Sequence, residues 1–484
     1  MTKKERSRKG CALKDSFKFN RYSTCRQEKD EEVLNLLVFF LFLFAIILFY
    51  SKIYGIIKLD KLILCKMRVA MGNVENKLRA EDSSIHDWYR FVLSFPPHLV
   101  QQYLEDFCAD QTSLVLDPFC GTGTTNVECK KRGIPSWGIE ASPLTHFASK
   151  TKCTWIVDTS DFLCTAEQIA FMATQTINSL SKLRTLSDEQ TSLILKNSIC
   201  DQPLSSTLVL RDSIRTVNSP YEDYYLLALA KHIVYSYSNL KFGPEVGISR
   251  NKKECVDVVE MWLSEIEKMK VDLEHWKHYS STLADISFGD ARNIPKKDYT
   301  GKVDCVITSP PYPNEKDYSR TTRLESVILG FISTKDDLRK IKKGFIRSNS
   351  KNVYRSDNDA QYICNIESIN KLSNEIEKRR LELGKTSGFE KLYASVVKQY
   401  FGGMARHLSE LKPYLRNGAS LAYVVGDQAS YFQIPIRTSV LLGEVAESVG
   451  GYEVDRIDIF RKRFATATET WLNEDVLVLK YKGD

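Results

Sequence analysis

Apolar and polar positions fall into distinct regimes along the chain. Val33 to Tyr50 (VLNLLVFFLFLFAIILFY) carries no charge, and Asn35 is its one strongly polar residue. Eighteen such residues reach the lower end of what spans a bilayer as a helix. From Ile85 the pattern becomes that of an α/β domain. Phe95 to Phe107 predicts a helix with prolines at its start, where a missing N–H costs least. Ser113 to Leu116 is a short apolar strand running into a glycine loop, Asn126 to Arg132 the helix after the loop, and Ser136 to Ile139 a second strand. A long stretch, roughly 155–280, shows helical periodicity in Gln168–Leu183, Tyr224–Tyr237 and Cys255–His275. Strands return at Val303–Thr308, Ser420–Val425 and Val476–Lys480. Strand, glycine loop, helix and a strand ending in an acid is how a doubly wound sheet opens.

Charge divides the chain at the same place as hydropathy. Residues 1–70 hold 15 Lys/Arg and 7 Asp/Glu, a net +8, which leaves 53 basic and 54 acidic residues beyond them. The overall +7 therefore belongs to the leader, and a nucleic-acid footprint on the body must come from local clustering. The apolar run lies behind too long a polar segment for a cleaved signal peptide of ordinary layout. Arg26 and Lys29 precede it and Lys52, Lys58 and Lys61 follow, so charge sets no orientation. Two readings of the leader stand: a single-span membrane anchor, or an over-extended reading frame whose translation starts at Met71 or Met67. The second is preferred, because the composition changes abruptly and the downstream chemistry is cytosolic. Twelve cysteines are scattered singly, without a CxxC pair, which suits a reducing compartment better than a disulfide framework. The seven histidines form no metal pattern, so no metal is implied.

The string Leu116-Asp117-Pro118-Phe119-Cys120-Gly121-Thr122-Gly123-Thr124-Thr125 is the first candidate site. Glycines after a strand let the backbone turn tightly and approach a ligand, and the next helix aims its N-terminal amides at it. Glu140, seventeen residues past Gly123 at a strand end, is placed to accept from ribose hydroxyls. Asn126 stands where a dinucleotide-binding loop has its third glycine. Asp117 just ahead of the loop would oppose a phosphate but suit an ammonium or sulfonium ligand, which tilts the loop toward S-adenosylmethionine. Asp290, in Gly289-Asp290-Ala291 before the next strand, is placed to accept from the adenine amine; its plain alternative is a surface-turn aspartate.

The second site is Asp304-Cys305-Val306-Ile307-Thr308-Ser309-Pro310-Pro311-Tyr312, an apolar strand ending in Ser-Pro-Pro-Tyr. Adjacent prolines lack N–H donors and stiffen the backbone, leaving carbonyls free. Methylation of an exocyclic amine needs such a group, because the amine lone pair is conjugated into the base and is a poor nucleophile. Hydrogen bonds from the amine to the Ser309 side chain and the Pro310 carbonyl would localise that lone pair and aim it, so the catalysis is largely positioning. Tyr312 would stack on a base swung out of the duplex. The chain has no Pro-Cys dipeptide to supply a cysteine nucleophile, and Cys120 reads as a small buried side chain.

These residues resemble the DNA amino-methyltransferases, the cytosine-N4 and adenine-N6 enzymes of bacterial modification systems. The resemblance implies a Rossmann-like doubly wound methyltransferase sheet, with Phe119, Gly121, Thr122, Gly123 and Glu140 at S-adenosylmethionine and Ser309, Pro310, Pro311 and Tyr312 in catalysis. Phe95 to Leu99 is similar to the family's N-terminal cofactor motif, and Gly418–Asp427 and Glu474–Lys480 to its closing strands. The cofactor loop precedes the tetrapeptide, opposite to the order in many enzymes with Ser-Pro-Pro-Tyr. Serine at the first position favours cytosine N4 over adenine N6. The resemblance also implies double-stranded DNA and a cognate restriction endonuclease as partners, in a bacterial cytoplasm unless 33–50 is a translated anchor.

The expected organisation is a leader at 1–70, a cofactor-binding half at 71–154, a helical insertion at 155–280, core strands with the tetrapeptide at 281–318, a basic insertion at 319–395, and closing strands at 396–484. The basic insertion holds Lys335, Arg339, Lys340, Lys342, Lys343, Arg347, Lys351 and Arg355 within about twenty residues. Lys340, Lys342, Lys343 and Arg347 are its candidate phosphate contacts; an ordinary solvated helix is the alternative. Arg461-Lys462-Arg463 is a smaller cluster. Two rivals remain: a tRNA or rRNA guanine-N2 methyltransferase, for which Asp or Asn before the prolines and an upstream RNA-binding domain would be usual, and a membrane-tethered protein that binds S-adenosylmethionine without turnover.

Overall fold

The computed structural model of the chain describes residues 78–483, apart from 92–93, 157, 244, 315–316 and 466–468. All of these belong to the unit Gly72–Asp484. The leader and its apolar run at 33–50 lie outside the described residues. Among the described residues, no helix is long and apolar enough to cross a membrane.

Seven strands form the central sheet: β1 Val115–Asp117, β2 Ser136–Glu140, β3 Ala284–Phe288, β4 Val303–Thr308, β5 Leu415–Gly426, β6 Tyr452–Ala465 and β7 Thr470–Tyr481. Their spatial order is β3-β2-β1-β4-β5-β7-β6. The first five run parallel, and β7 is antiparallel to both of its neighbours, so the sheet is mixed. Chain order reverses between β1 and β4, and a crevice opens beyond the carboxyl ends of the strands at such a switch point.

Both faces of the sheet are covered, as the alternation of side chains along its strands requires. Val115, Cys305, Ile307, Ala422 and Val424 share one apolar layer with Leu99, Val100, Tyr103 and Leu104 of helix α1 (Pro97–Asp106). Helices α2 (Thr124–Lys131) and α3 (Pro143–Cys153) follow β1 and β2. Leu116, Val306, Leu421, Tyr423 and Val425 point the other way, into a layer built with the helices late in the chain.

The insertion after β2 consists chiefly of α4 (Phe162–Ser179), α5 (Asp201–Val217), α6 (Glu222–His232) and α7 (Val258–Trp276). Its core takes in Ile85, Trp88 and Tyr89 from before β1, and Leu324, Val327 and Ile328 from after the tetrapeptide. The region expected as one basic insertion at 319–395 is therefore divided. Its first part enters this helical core, and α9 (Glu367–Glu382) and α10 (Tyr393–Leu411) pack on the sheet with α11 (Thr438–Val449). Between the two lies the nine-residue basic helix α8 (Lys335–Lys343), which has no buried residue and is started by a Thr334/Asp337 capping box.

Strand β4 has the limits its apolar run predicts, whereas β3, β6 and α5 carried no expectation. β3 and β6 are the two edges of the sheet. An edge strand buries less of itself, so Ala284–Phe288 lacks an apolar run and Tyr452–Ala465 is broken by charges. Pro203 and a series of Ser and Thr residues mask α5.

A buried polar pin joins the strands at the switch point. Asp117 Oδ1 accepts the Phe119 N–H at 3.1 Å and the Thr308 hydroxyl at 2.5 Å. Thr125 at the start of α2 donates to the Ile307 carbonyl at 3.0 Å. The ends of β1 and β4 and the glycine loop are thereby held in one cluster. Burial pushes the Asp117 carboxyl up to about 6 in spite of these donors. We expect Thr308→Val, isosteric but without the donor, to lower unfolding free energy by roughly 1–3 kcal/mol, the usual cost of stranding a buried acceptor. Urea denaturation of the two forms checks this.

Candidate active site

A cleft of about 680 Å³ opens at the carboxyl ends of β1, β2 and β4. Phe119, Gly121, Thr122, Glu140, Asp290 and the whole Ser309–Tyr312 tetrapeptide line it. Two stretches far apart in sequence, the glycine loop and Ser-Pro-Pro-Tyr, thus share one wall because β1 and β4 are neighbours.

The loop closes around Glu140. Its Oε2 accepts the Gly121 N–H and its Oε1 the Ser142 N–H, both at 2.8 Å. The Thr145 side chain also lies at this carboxylate, which still has acceptor capacity toward the cleft. Burial raises its pKa to about 7 against these bonds. Gly121 has φ +53°, and a Cβ there would meet nothing within 4 Å, so bare backbone faces the cleft. Gly123 has another job. It caps α2 at φ +83°, and a Cβ on it would stand 3.1 Å from Ser149 Cβ, so it sets the approach of α2 to α3 and does not line the cleft. Asp117 also lies beneath the cleft rather than in its wall, with no exposed surface. Cys120 is buried and its thiol is pushed well up by burial, which leaves it inert.

Phe119 packs its ring edge-on against His407, with centroids 4.9 Å apart. His407 is held by the Ala291 carbonyl at 3.0 Å and the Tyr423 hydroxyl at 2.8 Å, and burial lowers its pKa to about 4, so it stays neutral. Asp290 stands in the wall with both oxygens already accepting from Arg292, at 2.7 Å for the shortest contact. Arg292 also bonds Asp359 at 2.7 Å, so the turn carrying Asp290 is tied to the helices on the far face.

Residues from the end of the chain complete the tetrapeptide. Ser309 donates its hydroxyl to the Val424 carbonyl at 3.1 Å. The Tyr312 ring lies against Gly426, where a Cβ would come within 2.8 Å of the ring. Its hydroxyl donates to Glu474 Oε1 at 2.9 Å, and Glu474 is in turn paired with Arg461. Sequence reasoning named neither Glu474 nor Gly426 as a site residue. The available signal was weak: an acid at the entry to an apolar strand, and a glycine closing one.

The four candidate phosphate contacts separate in the structure. Lys342 is bonded to Asp317 at 2.6 Å in a largely buried pair, and Arg347 grips Asp357 through two bonds at 2.8 and 3.0 Å. Both charges are paired within the fold, so neither is the solvated cation that the basic run suggested. Lys340 and Lys343 are exposed.

The mixed seven-strand sheet is consistent with the methyltransferase fold, and comparison with known proteins points to the DNA amino-methyltransferases. The N6/N4 DNA methylase family model matches residues 3–148. Over 405 residues the chain is 27% identical to the type II methyltransferase M.BsoBI of Geobacillus stearothermophilus, spanning 76% of this chain and 79% of that protein. The M.AvaI type II methyltransferases of a Nostoc species and of Anabaena variabilis are each 24% identical over 413 residues, with the same coverage. The chain is thus similar to the N6/N4 DNA methylase family and distantly homologous to these enzymes.

Glu474→Ala removes the charged acceptor of the Tyr312 hydroxyl and should slow methyl transfer about tenfold, the worth of one hydrogen bond to a charged group, with cofactor affinity unchanged. Glu474→Gln keeps an acceptor oxygen and should retain most activity. Steady-state kinetics of both variants, with cofactor affinity measured separately, checks this.

Proposed function

We propose that the protein transfers a methyl group from S-adenosylmethionine to cytosine N4 in duplex DNA, directly and onto a base swung out of the helix. The residues of the cleft fit this cofactor. Glu140 offers lone pairs for ribose hydroxyls, bare backbone at Gly121 permits close approach, Phe119 gives an aromatic wall, and Asp290 gives an acceptor at the end of β3. When bound, S-adenosylmethionine supplies an electrophilic methyl carbon on a sulfonium.

The observation that carries the reading is the Ser309 hydroxyl bond. Because its proton goes to the Val424 carbonyl, the Oγ lone pairs remain to accept from a base amine, as does the Pro310 carbonyl. Two acceptors on one amine draw its hydrogens aside and concentrate the nitrogen lone pair on the attacking lobe. Tyr312, backed by Gly426 and held by Glu474, is fixed to stack on the base. Pro310 and Pro311 carry no N–H that could compete for the amine lone pair. Serine at the head of the tetrapeptide favours cytosine N4. Of the four candidate phosphate contacts, Lys340 and Lys343 are the exposed ones left to meet phosphate. Likeness to type II methyltransferases supports a modification role that shields DNA from a cognate restriction endonuclease.

Sequencing DNA from cells that express the protein, by a method that separates N4-methylcytosine from N6-methyladenine, tests the proposal. N4-methylcytosine in one recurrent motif is the expected result. N6-methyladenine would move the assignment to adenine, and unmodified DNA alongside folded protein would overturn it.

Glu140 makes cofactor binding depend on pH. Its folded pKa of about 7 lies above the ordinary 4.5, and donors from a ribose favour the ionised form. Affinity should thus be full above pH 7 and fall as pH drops through it, about tenfold weaker at pH 6 than at pH 8. Titration calorimetry with S-adenosylmethionine should show that slope in the wild type and lose it in Glu140→Gln.

A further inference from the structure

The last two strands outrun the sheet. β7 pairs with β5 only from Glu474 to Lys480, whereas β6 and β7 remain paired out to Ala465 and Thr470. The root of this free hairpin lines the cleft through Arg461, Asn473 and Glu474. Three residues beyond Arg461 stands Phe464, directly opposite Trp471. Their rings meet edge to face, with centroids 5.3 Å apart and planes at 63°. Phe464 is 49% and Trp471 58% exposed.

Two large aromatic side chains in water lose the burial free energy that such residues normally gain, and exposed groups of this kind mark interaction surfaces. Charge indicates the partner. Residues 461–473 (RKRFATATETWLN) hold three basic side chains and one acid, Glu469; Arg461 is paired with Glu474, which leaves Lys462 and Arg463 as the surplus. Self-association would bring like charges together, whereas a polyanion with stacked rings satisfies both the cations and the aromatics. Position indicates the same partner. At about 3.3 Å per residue the pair lies roughly 10 Å along the hairpin from Arg461, past the carboxyl ends of the strands where the cleft has its mouth. Trp471 itself borders a shallow groove with Arg437, Val440, Ile457 and Ile459 on the other face of the hairpin. A duplex delivering a base to Tyr312 must cross that mouth.

We propose that Phe464 and Trp471 form an aromatic wedge that contacts duplex DNA beside the extruded base, with Lys462 on the adjoining phosphate. Contact with the disrupted stack offsets part of the cost of unstacking. The inference rests on the reading of the site as one that methylates DNA. Through Glu474, the same hairpin also holds the tyrosine of the tetrapeptide.

Trp471 provides its own probe. Of the six tryptophans, Trp88, Trp137, Trp155 and Trp262 are buried and Trp276 is half-buried. Acrylamide quenching of the full chain, with and without unmethylated plasmid DNA, should show an accessible component that DNA protects and that Trp471→Phe lacks. Phe464→Ala combined with Trp471→Ala should raise the KM for DNA about tenfold, leaving cofactor affinity and the salt slope of that KM intact. Lys462→Ala should instead lower the slope by about one. A Trp471 that stays fully quenchable with DNA bound overturns the proposal, whatever the variants do. So does a double variant whose only change is loss of a dimer in sedimentation at unchanged KM. Failure of the wild type to methylate any DNA would defeat the functional reading instead, so the two failures are distinguishable.

Discussion

The pin at Asp117 is the constraint on which the site depends. One buried carboxylate accepts from the Phe119 amide and from the Thr308 hydroxyl, and so holds the end of β1 against the end of β4. Those two strands are neighbours only because chain order reverses between them. The glycine loop leaves from one and the tetrapeptide from the other, and Thr125 to Ile307 adds a second tie from the helix behind the loop. An acid this deeply buried is unfavourable in itself, as its raised pKa shows. Its donors are what make the position tenable.

From that junction two walls diverge. On the β2 side, Glu140 gathers the loop amide at Gly121 and the helix-start amide at Ser142 onto one carboxylate. On the β5 and β7 side, Val424 orients Ser309, Gly426 seats the Tyr312 ring, and Glu474 holds its hydroxyl. The first wall is built from consecutive sequence. The second borrows three residues from two strands more than a hundred residues downstream. Positioning chemistry of the kind proposed here needs both walls to be stiff, since most of the rate gain comes from fixed acceptors.

How far the site was legible depends on whether a residue's partner is local. Gly121, Glu140 and Ser309–Tyr312 could be read because strand, loop and motif are contiguous, and the cleft contains them. Gly123 and Asp117 were conspicuous in the same loop, yet packing against Ser149 and burial under the switch point place them behind the wall. Composition marked Lys342 and Arg347 as free cations, and only the fold shows that Asp317 and Asp357 neutralise them. Glu474 and Gly426 were legible only as the ends of closing strands, because their partner Tyr312 is more than a hundred residues away.

The sequence by itself determined the periodic elements, the order of glycine loop and tetrapeptide, and the class of chemistry, because each rests on contacts within a few residues or on side-chain type. Tertiary structure decided which acids face the cleft and which face the core, which lysines reach solvent, and where the last hairpin ends relative to the cleft. Those outcomes depend on strand order and on burial. Both are set by residues hundreds of positions apart, whose pairing no local pattern encodes.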